Sequence, residues 1–432
     1  MLELTLLVLA QLDPSGWTAE KAAARAEEVA PAVRQAAAAQ AFAEDTASIG
    51  YTGFIPRLDL RGSYTRLSRT DVPPEFAAFF VQIPDSLLLR ASLTVPVSDY
   101  FFTVLPAFRS VQHAARIAAF QADAEREGVA LRAREAFYLY VRTVAAERVA
   151  TDAVAQLTAY LADLEVLVTA GEGTPADLLA AKSRLAEVRV QRSAASGGVR
   201  VAAESLRLLL DLPPDDPITV GEDVFGQTTP AVPKSAQLLE EARRNRPEML
   251  ALAALAESAD TDVRAANGQN FPRLSVVGNL DYANPNARQL PQQAKFTPSW
   301  DLSVVLSWSP NDLVGNTVQV ARAELARARV DRDRAALEDA LGIGAAQAAS
   351  DYGVALETIT AAEEGVQAAR EAWRVRRELL GAGEATPSEA LETETALRRA
   401  EMQQIDAHVA ARLAYARVQH VIGRARAQGA NQ

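Results

Sequence analysis

Four stretches of the chain alternate strictly between apolar and polar positions. In the first, Leu58, Leu60, Gly62 and Tyr64 point one way while Arg57, Asp59, Arg61, Ser63 and Thr65 point the other. In the second, Leu87, Leu89, Ala91, Leu93, Val95 and Val97 oppose Leu88, Arg90, Ser92, Thr94 and Pro96. Leu274, Val276, Gly278, Leu280 and Tyr282 oppose Arg273, Ser275, Val277, Asn279 and Asp281, and Trp300, Leu302, Val304, Leu306 and Trp308 oppose Asp301, Ser303, Val305, Ser307 and Ser309. Each run is about ten residues, the length and period of a transmembrane β-strand. On this pattern Leu58, Leu60, Leu93, Leu280, Leu302 and Leu306 are expected to face lipid. Half-buried hairpins in a soluble β-domain would alternate in the same way.

The neighbouring sequence decides between these readings. No proline interrupts the stretches between Pro106 and Pro175 or between Pro310 and Pro387, and both are rich in Ala, Arg, Glu, Leu and Gln. At about 1.5 Å per residue the first has room for a helix approaching 100 Å. Helices of that length form coiled coils or a tube, with Leu and Ala along one seam and Arg and Glu toward water; they do not fold back as a compact cover over a sheet. No stretch approaches the run of about 18 apolar residues needed for a membrane-spanning helix, so the strands are left as the membrane-facing part. Four strands cannot close a barrel, because the smallest membrane barrels use about eight. Two copies would supply eight strands and three would supply twelve, and only the larger barrel leaves a water-filled lumen.

The pattern is also duplicated. Pro31 and Pro247 each open an alanine-rich helix, and Phe54-Ile55-Pro56-Arg57-Leu58 matches Asn270-Phe271-Pro272-Arg273-Leu274 at the same offset. Leu93-Thr94-Val95 with Asp99 matches Leu306-Ser307-Trp308 with Asp312, and Gly171-Glu172-Gly173-Thr174-Pro175-Ala176-Asp177 matches Gly383-Glu384-Ala385-Thr386-Pro387-Ser388-Glu389. The expected organisation is a signal-like segment over residues 1–16, a first repeat over 17–210, a Pro-rich connector over 211–234 and a second repeat over 235–432. Each repeat should run helix, strand pair, helical hairpin. Within the first segment Leu4 to Ala10 is apolar, with Val8 and Ala10 placed as at a signal-peptidase site, although no Lys or Arg precedes them.

Composition narrows the function. The 432 residues carry 44 Lys plus Arg against 55 Asp plus Glu, a formal charge of −11, which is the wrong sign for a nucleic-acid groove. About a fifth of the chain is alanine and there is no cysteine, which excludes disulfides, thiolate metal sites and cysteine nucleophiles. His113, His408 and His420 lie singly in helical stretches without ligand spacing, and Gly342-Ile343-Gly344 and Gly381-Ala382-Gly383 lack the strand and the third glycine of a phosphate cradle. Arg376-Arg377 and Arg398-Arg399 read as solvated helix faces. No activated nucleophile, metal set or cofactor site is apparent, so an enzyme is not expected. The two Thr-Pro-x-acid turns place Thr at the N-cap, Pro at N1 and Asp177 or Glu389 at N3, as in a capping box.

As an ordered set, the Thr18-Ala19-Glu20 helix opening, the Pro-Arg-Leu strand starts at Pro56 and Pro272, and the duplicated Gly-x-x-Thr-Pro-x-acid turns resemble the TolC-like outer membrane efflux proteins, over nearly the whole chain after Trp17. The resemblance implies a mainly α protein with a membrane β-barrel part. Long antiparallel hairpins would form a periplasmic α-barrel, and four strands per protomer would make a twelve-stranded barrel in a homotrimer. It implies an exit duct in the outer membrane of a Gram-negative bacterium, reaching into the periplasm and serving tripartite efflux or type I secretion, with a periplasmic adaptor, an inner membrane transporter and outer membrane lipid as partners. It places Glu389, Glu392 and Asp177 at a periplasmic aperture, and Gly171, Thr174, Pro175, Gly383, Thr386 and Pro387 in hairpin-tip turns where an adaptor would dock. One departure is the lack of any Arg or Tyr from Glu378 to Leu397, where some family members latch the closed tip. The alternative is a periplasmic coiled-coil adaptor, which should carry one hairpin between β-domains.

Overall fold

The computed structural model describes residues 15–68, 83–171, 173–214, 216–226, 230–231, 234–290 and 292–424. The apolar run from Leu4 to Ala10 and most of the β1–β2 connection lie outside these residues. The described elements are α1 (Ala19–Val29), α2 (Pro31–Ile49), β1 (Arg57–Arg66), β2 (Asp85–Val95), α3 (Leu105–Thr169), α4 (Pro175–Leu210), α5 (Ser235–Asn245), α6 (Pro247–Gly268), β3 (Arg273–Asn284), β4 (Thr297–Ser307), α7 (Asp312–Gly381) and α8 (Pro387–Val421). Two helices precede each strand pair where one was expected. The break falls at Pro31 and Pro247, because a proline lacks the N–H that would continue the previous helix but suits the first turn of a new one. Thr18 caps α1, its side chain accepting from the Lys21 backbone N–H. Gly342 and Gly344 do not interrupt α7, and no described helix is long and apolar enough to cross a membrane.

The chain divides into two compact units: Met1–Ala38 with Ala119–Leu250 and Ala335–Gln432, and Ala39–Ala118 with Ala251–Arg334. The second holds the sheet, antiparallel throughout in the order β1-β2-β3-β4. Its register keeps like with like. Leu58 stands opposite Leu93, then Gly278, then Leu302, and the next apolar row is Leu60, Ala91, Leu280 and Trp300. Between them lies the polar row Asp59, Ser92, Asn279 and Asp301. One face is therefore apolar across all four strands, and no described element covers it: Leu60 is 78% exposed, Trp300 74% and Leu302 68%. Below the strands, Phe54 stacks on Tyr100 and meets Phe108 edge-on, and Phe102 stacks on Phe271.

The first unit is helical. Its largest core joins α1, α3 and α4 through Ala22, Ala26, Ala133, Phe137, Leu206 and Leu210. A second core joins α5, α7 and α8 through Leu238, Ala345, Tyr352, Ala411 and Ala414. Alanine at the seams lets these helices approach closely. The connector after α4 is tied down by a parallel bridge between Trp17 and Val220 and by Glu222, which accepts from the Ala19 backbone N–H and the Tyr138 hydroxyl at 3.0 Å each.

Arg246, between α5 and α6, closes the far end of α8. Its guanidinium donates to the His420 carbonyl at 2.7 Å, forms a two-pronged pair with Glu248, and lies 3.3 Å from His420 Nε2. Burial, reinforced by Arg246, pushes the His420 imidazole down to about 4. A histidine with a depressed folded-state pKa loses stability as pH falls from its ordinary value of 6.5 toward that lowered one, because only the unfolded chain takes up the proton in that window. His420→Gln should therefore flatten part of the decline in melting temperature between about pH 6.5 and 4. An unaltered pH profile would show that His420 titrates normally.

Candidate functional site

Both hairpin turns fold as their sequences predict. Gly171 and Gly383 adopt left-handed φ of 84° and 75°, which lets α3 and α7 end and the chain reverse. Thr174 Oγ1 then accepts from the Asp177 backbone N–H at 3.2 Å, and the Asp177 carboxylate accepts from the Thr174 N–H at 3.3 Å. Thr386 and Glu389 repeat this geometry at 3.3 and 3.0 Å, with Pro175 and Pro387 in the first turn of each helix. The carboxylates of Asp177 and Glu389 thus serve their own helices. The Thr386 backbone N–H, aided by the charge of Arg376, holds the Glu389 carboxyl below its ordinary range. Glu392 lies one turn on and is exposed, with no ion pair among the described residues.

Just upstream of the stretch from Glu378 to Leu397, two arginines of α7 bond to acids around the turns. Arg376 donates to Glu389 at 3.1 Å, and Arg377 reaches across from the second hairpin to Asp163 of the first at 3.3 Å. Both side chains stay accessible to solvent, as expected of a helix face, and each is also paired. Tyr160 crosses between the hairpins as well, donating to the Pro387 carbonyl at 3.1 Å and packing edge-on against Trp373. Burial raises its phenol to about 12, so it remains a donor. Tyr160, Asp163, Leu164, Arg377 and Leu380 line a cleft of about 310 Å³ there.

Further from the turns lies a layer that sequence reading missed. Glu394 is completely buried and Glu401 is 5% exposed. Arg398, expected in water, lies between them and donates to Glu394 at 3.2 Å, Glu401 at 2.7 Å and Gln156 of α3 at 2.5 Å. Arg184 of α4 reaches Glu394 at 3.4 Å, and Arg370 of α7 lies 3.9 Å from Glu401. Four helices thus share one charged layer. Burial raises the Glu401 carboxyl against the opposing pull of Arg398 and Arg370. The spacing Glu394, Arg398, Glu401 at i, i+4 and i+7 on one face of α8 was the available signal.

His408 is a core residue, whereas His113 and His420 are half-buried. His408 is buried beside Glu363 and packs edge-on against Phe225, and His113 lies near Glu257. No cluster able to hold a metal occurs among the described residues. In the other unit, the polar side of the sheet carries its own network. Arg90 and Asp281 form a two-pronged pair at 2.6 and 2.9 Å, Ser92 donates to Asn279 at 2.7 Å, and Asn279 donates to Asp301 at 2.9 Å.

Comparison with known proteins agrees with this architecture. Residues 238–424 match the outer membrane efflux protein family. The chain is similar to the solved outer-membrane channel OprN at 18% identity and a TM-score of 0.76, covering 96% of this chain and 94% of that one. It is similar to the CmeC outer membrane channel of Campylobacter jejuni at 15% identity and a TM-score of 0.78, covering 97% and 88% respectively. The open state of the MtrE channel of Neisseria gonorrhoeae also superposes with a TM-score of 0.78 at 14% identity, covering 96% and 91%. No curated protein sequence matches the chain.

The buried layer gives a direct test. Arg398→Met should strand two buried carboxylates and cost about 3–5 kcal/mol, because removing one partner of a buried pair leaves uncompensated charge. Thermal unfolding of purified protein measures this. A change below about 1 kcal/mol would mean that water reaches Glu394 and Glu401.

Proposed function

We infer that this chain, whose residues 238–424 match the outer membrane efflux protein family, is the outer membrane channel of a tripartite export system and that three copies close one duct. The observation that carries the reading is the sheet: an uncovered apolar face spanning four strands, with β1 and β4 left as open edges. In hydrocarbon an unpaired strand edge costs several kcal/mol per backbone group, so further strands must complete the sheet. Three copies supply twelve strands, enough for a water-filled lumen lined by the polar face.

The helices support the same assembly. Large apolar side chains are exposed along α4 at Leu179, Val190, Val201 and Leu208 and along α7 at Ile343 and Val354, whereas α8 exposes none among the described residues. Within one chain α8 is engaged by α3, as when Arg142 meets Asp406 at 2.7 Å and Arg417 meets Glu135 at 3.0 Å. The free seams of α4 and α7 suit each other in adjacent copies. Two hairpins and two strand pairs favour a duct over an adaptor, which would need only one hairpin. In this reading the hairpin turns, with Gly171, Thr174, Pro175, Gly383, Thr386 and Pro387, face a periplasmic adaptor fed by an inner membrane transporter. Glu389, Glu392 and Asp177 ring the aperture.

Fractionation of expressed protein with outer membranes as an SDS-resistant trimer is the expected outcome; a monomer in the soluble fraction would refute the reading. A lysine at Leu60 should destabilise the membrane-inserted protein by about 2–4 kcal/mol if that site lies near the midplane, whereas Ser303→Lys, on the lumen side, should be tolerated. Equal tolerance would remove the lipid assignment.

At the aperture, three like charges around one axis attract cations and repel anions. Because Arg376 and the Thr386 cap already engage Glu389, Glu392→Gln should reduce cation selectivity in planar bilayers more than Glu389→Gln does. A larger effect from Glu389→Gln, or none from either, would take Glu392 out of the aperture.

A further inference from the structure

Beyond β3, the chain turns over the polar side of the sheet. Asn286, only 3% exposed, donates from Nδ2 to the Thr297 carbonyl at 3.0 Å and to Ser299 Oγ at 3.1 Å. Its Oδ1 accepts from the Arg288 backbone N–H at 3.0 Å. The Arg288 guanidinium donates to the Trp300 carbonyl at 2.7 Å and pairs with the Asp301 carboxylate. Ser299 and Asp301 belong to the polar rows of the register, and Asp281 and Ala283 of the adjoining strand are buried. The segment is therefore held against the polar face by side-chain bonds from two residues.

The charges on that face do not cancel. Arg57 pairs with Asp59, Arg90 with Asp281 and Arg288 with Asp301. Arg61 stands directly opposite Arg90 in the register and forms no ion pair among the described residues. With Arg273 at the start of β3, five arginines thus meet three aspartates on one side of one sheet. Three symmetry-related copies would triple the surplus inside a single enclosure, where low-dielectric walls concentrate the field.

We propose that residues 286–288 turn into the lumen, and that Arg288, tethered on Asp301, together with Arg61 forms a cationic ring that determines which solutes pass the barrel, favouring anionic over cationic ones. The proposal rests on the polar face being the lumen wall. It concerns a place in the channel separate from the acidic hairpin turns, so it predicts a second, opposite selectivity element in the same duct. Neutral cargo would pass without discrimination. Cationic cargo would be slowed here, and anionic cargo would be concentrated.

The absence of cysteine allows a clean test. Ser303→Cys places a single thiol on the polar face two residues from Asp301. The full-length variant, in lipid nanodiscs, is labelled with two size-matched methanethiosulfonates, one bearing a sulfonate and one a trimethylammonium group. At low salt, adding Arg288→Gln should lower the ratio of anionic to cationic labelling rates at least about threefold, and Arg61→Gln should lower it further. Arg288→Lys should keep the ratio near that of Ser303→Cys alone. In about 1 M salt, where the screening length falls to about 3 Å, the differences should collapse. A ratio unmoved by the Gln substitutions, or a shift that persists at high salt, would overturn the proposal while leaving the channel reading intact. If Ser303→Cys resists both reagents while Val304→Cys reacts, the polar face is not the lumen and the channel reading fails with it.

Discussion

A strand that enters hydrocarbon must find a partner for every backbone N–H and C=O, because no water is present to take that role. The four-stranded sheet satisfies this rule on its inner strands and leaves it unmet along β1 and β4. Most of what is distinctive about the chain follows from these two edges. The uninterrupted apolar face needs a nonpolar solvent on one side. The polar rows on the other side, with Arg90 held by Asp281 and Asn279 by Asp301, need water. A surface that separates two solvents and has no edges is a closed barrel, and closure from a four-stranded unit requires other copies.

The helical unit meets a different problem. Alanine-rich seams allow close approach but bury little area per residue, so they do not by themselves fix how far one helix slides along another. Larger groups are spaced along the hairpins and supply that register: Phe137, Leu157, Tyr160 and Tyr352 are all buried. Between such apolar layers sits the chain Arg184, Glu394, Arg398 and Glu401, drawn from α4 and α8 and touched by Gln156 and Arg370 from the two remaining long helices. Apolar residues could match its stability, but they would not penalise a slipped register by leaving a charge unpaired. Specificity of alignment is the physical reason to place ionic groups there.

How much of this was legible depended on distance along the chain. The strands were visible because period-two alternation, with Arg and Asp on the opposing side, is a local signal; β1 begins at Arg57 and β3 at Arg273, where the pattern starts. The caps were visible because Thr, Pro and acid sit within four residues. Arg398 was misjudged because Gln156, Arg184 and Arg370 close the layer around it from other helices, and a charged side chain on an amphipathic helix is ordinarily solvated. The pairing of Arg377 with Asp163 joins residues more than two hundred positions apart, and no periodicity announces it. The turn over the polar face at Asn286 and Arg288 was hidden for the same reason, since its anchors, Ser299 and Asp301, lie on the following strand.

The duplicated turns separate what the fold demands from what it leaves free. Gly171, Thr174, Pro175 and Asp177 recur as Gly383, Thr386, Pro387 and Glu389, and both sets build the same cap. Shifting back by that same interval, 383 − 171 = 212, Arg376 falls on Leu164, a buried residue of the first hairpin, and Arg377 falls on Glu165, which pairs with Lys182 at 3.2 Å. Glu392 falls on Ala180. The capping residues are kept because each helix start has the same orphaned backbone donors to satisfy. The residues around them differ because their surroundings differ: Leu164 fills a core, while Arg376 tethers a carboxylate. An acid with no cap to maintain and no counterpart in the other repeat is free of folding duty, and among the acids of the second turn Glu392 alone meets both conditions on one helix face. A carboxylate in that position can change without cost to the hairpin that carries it.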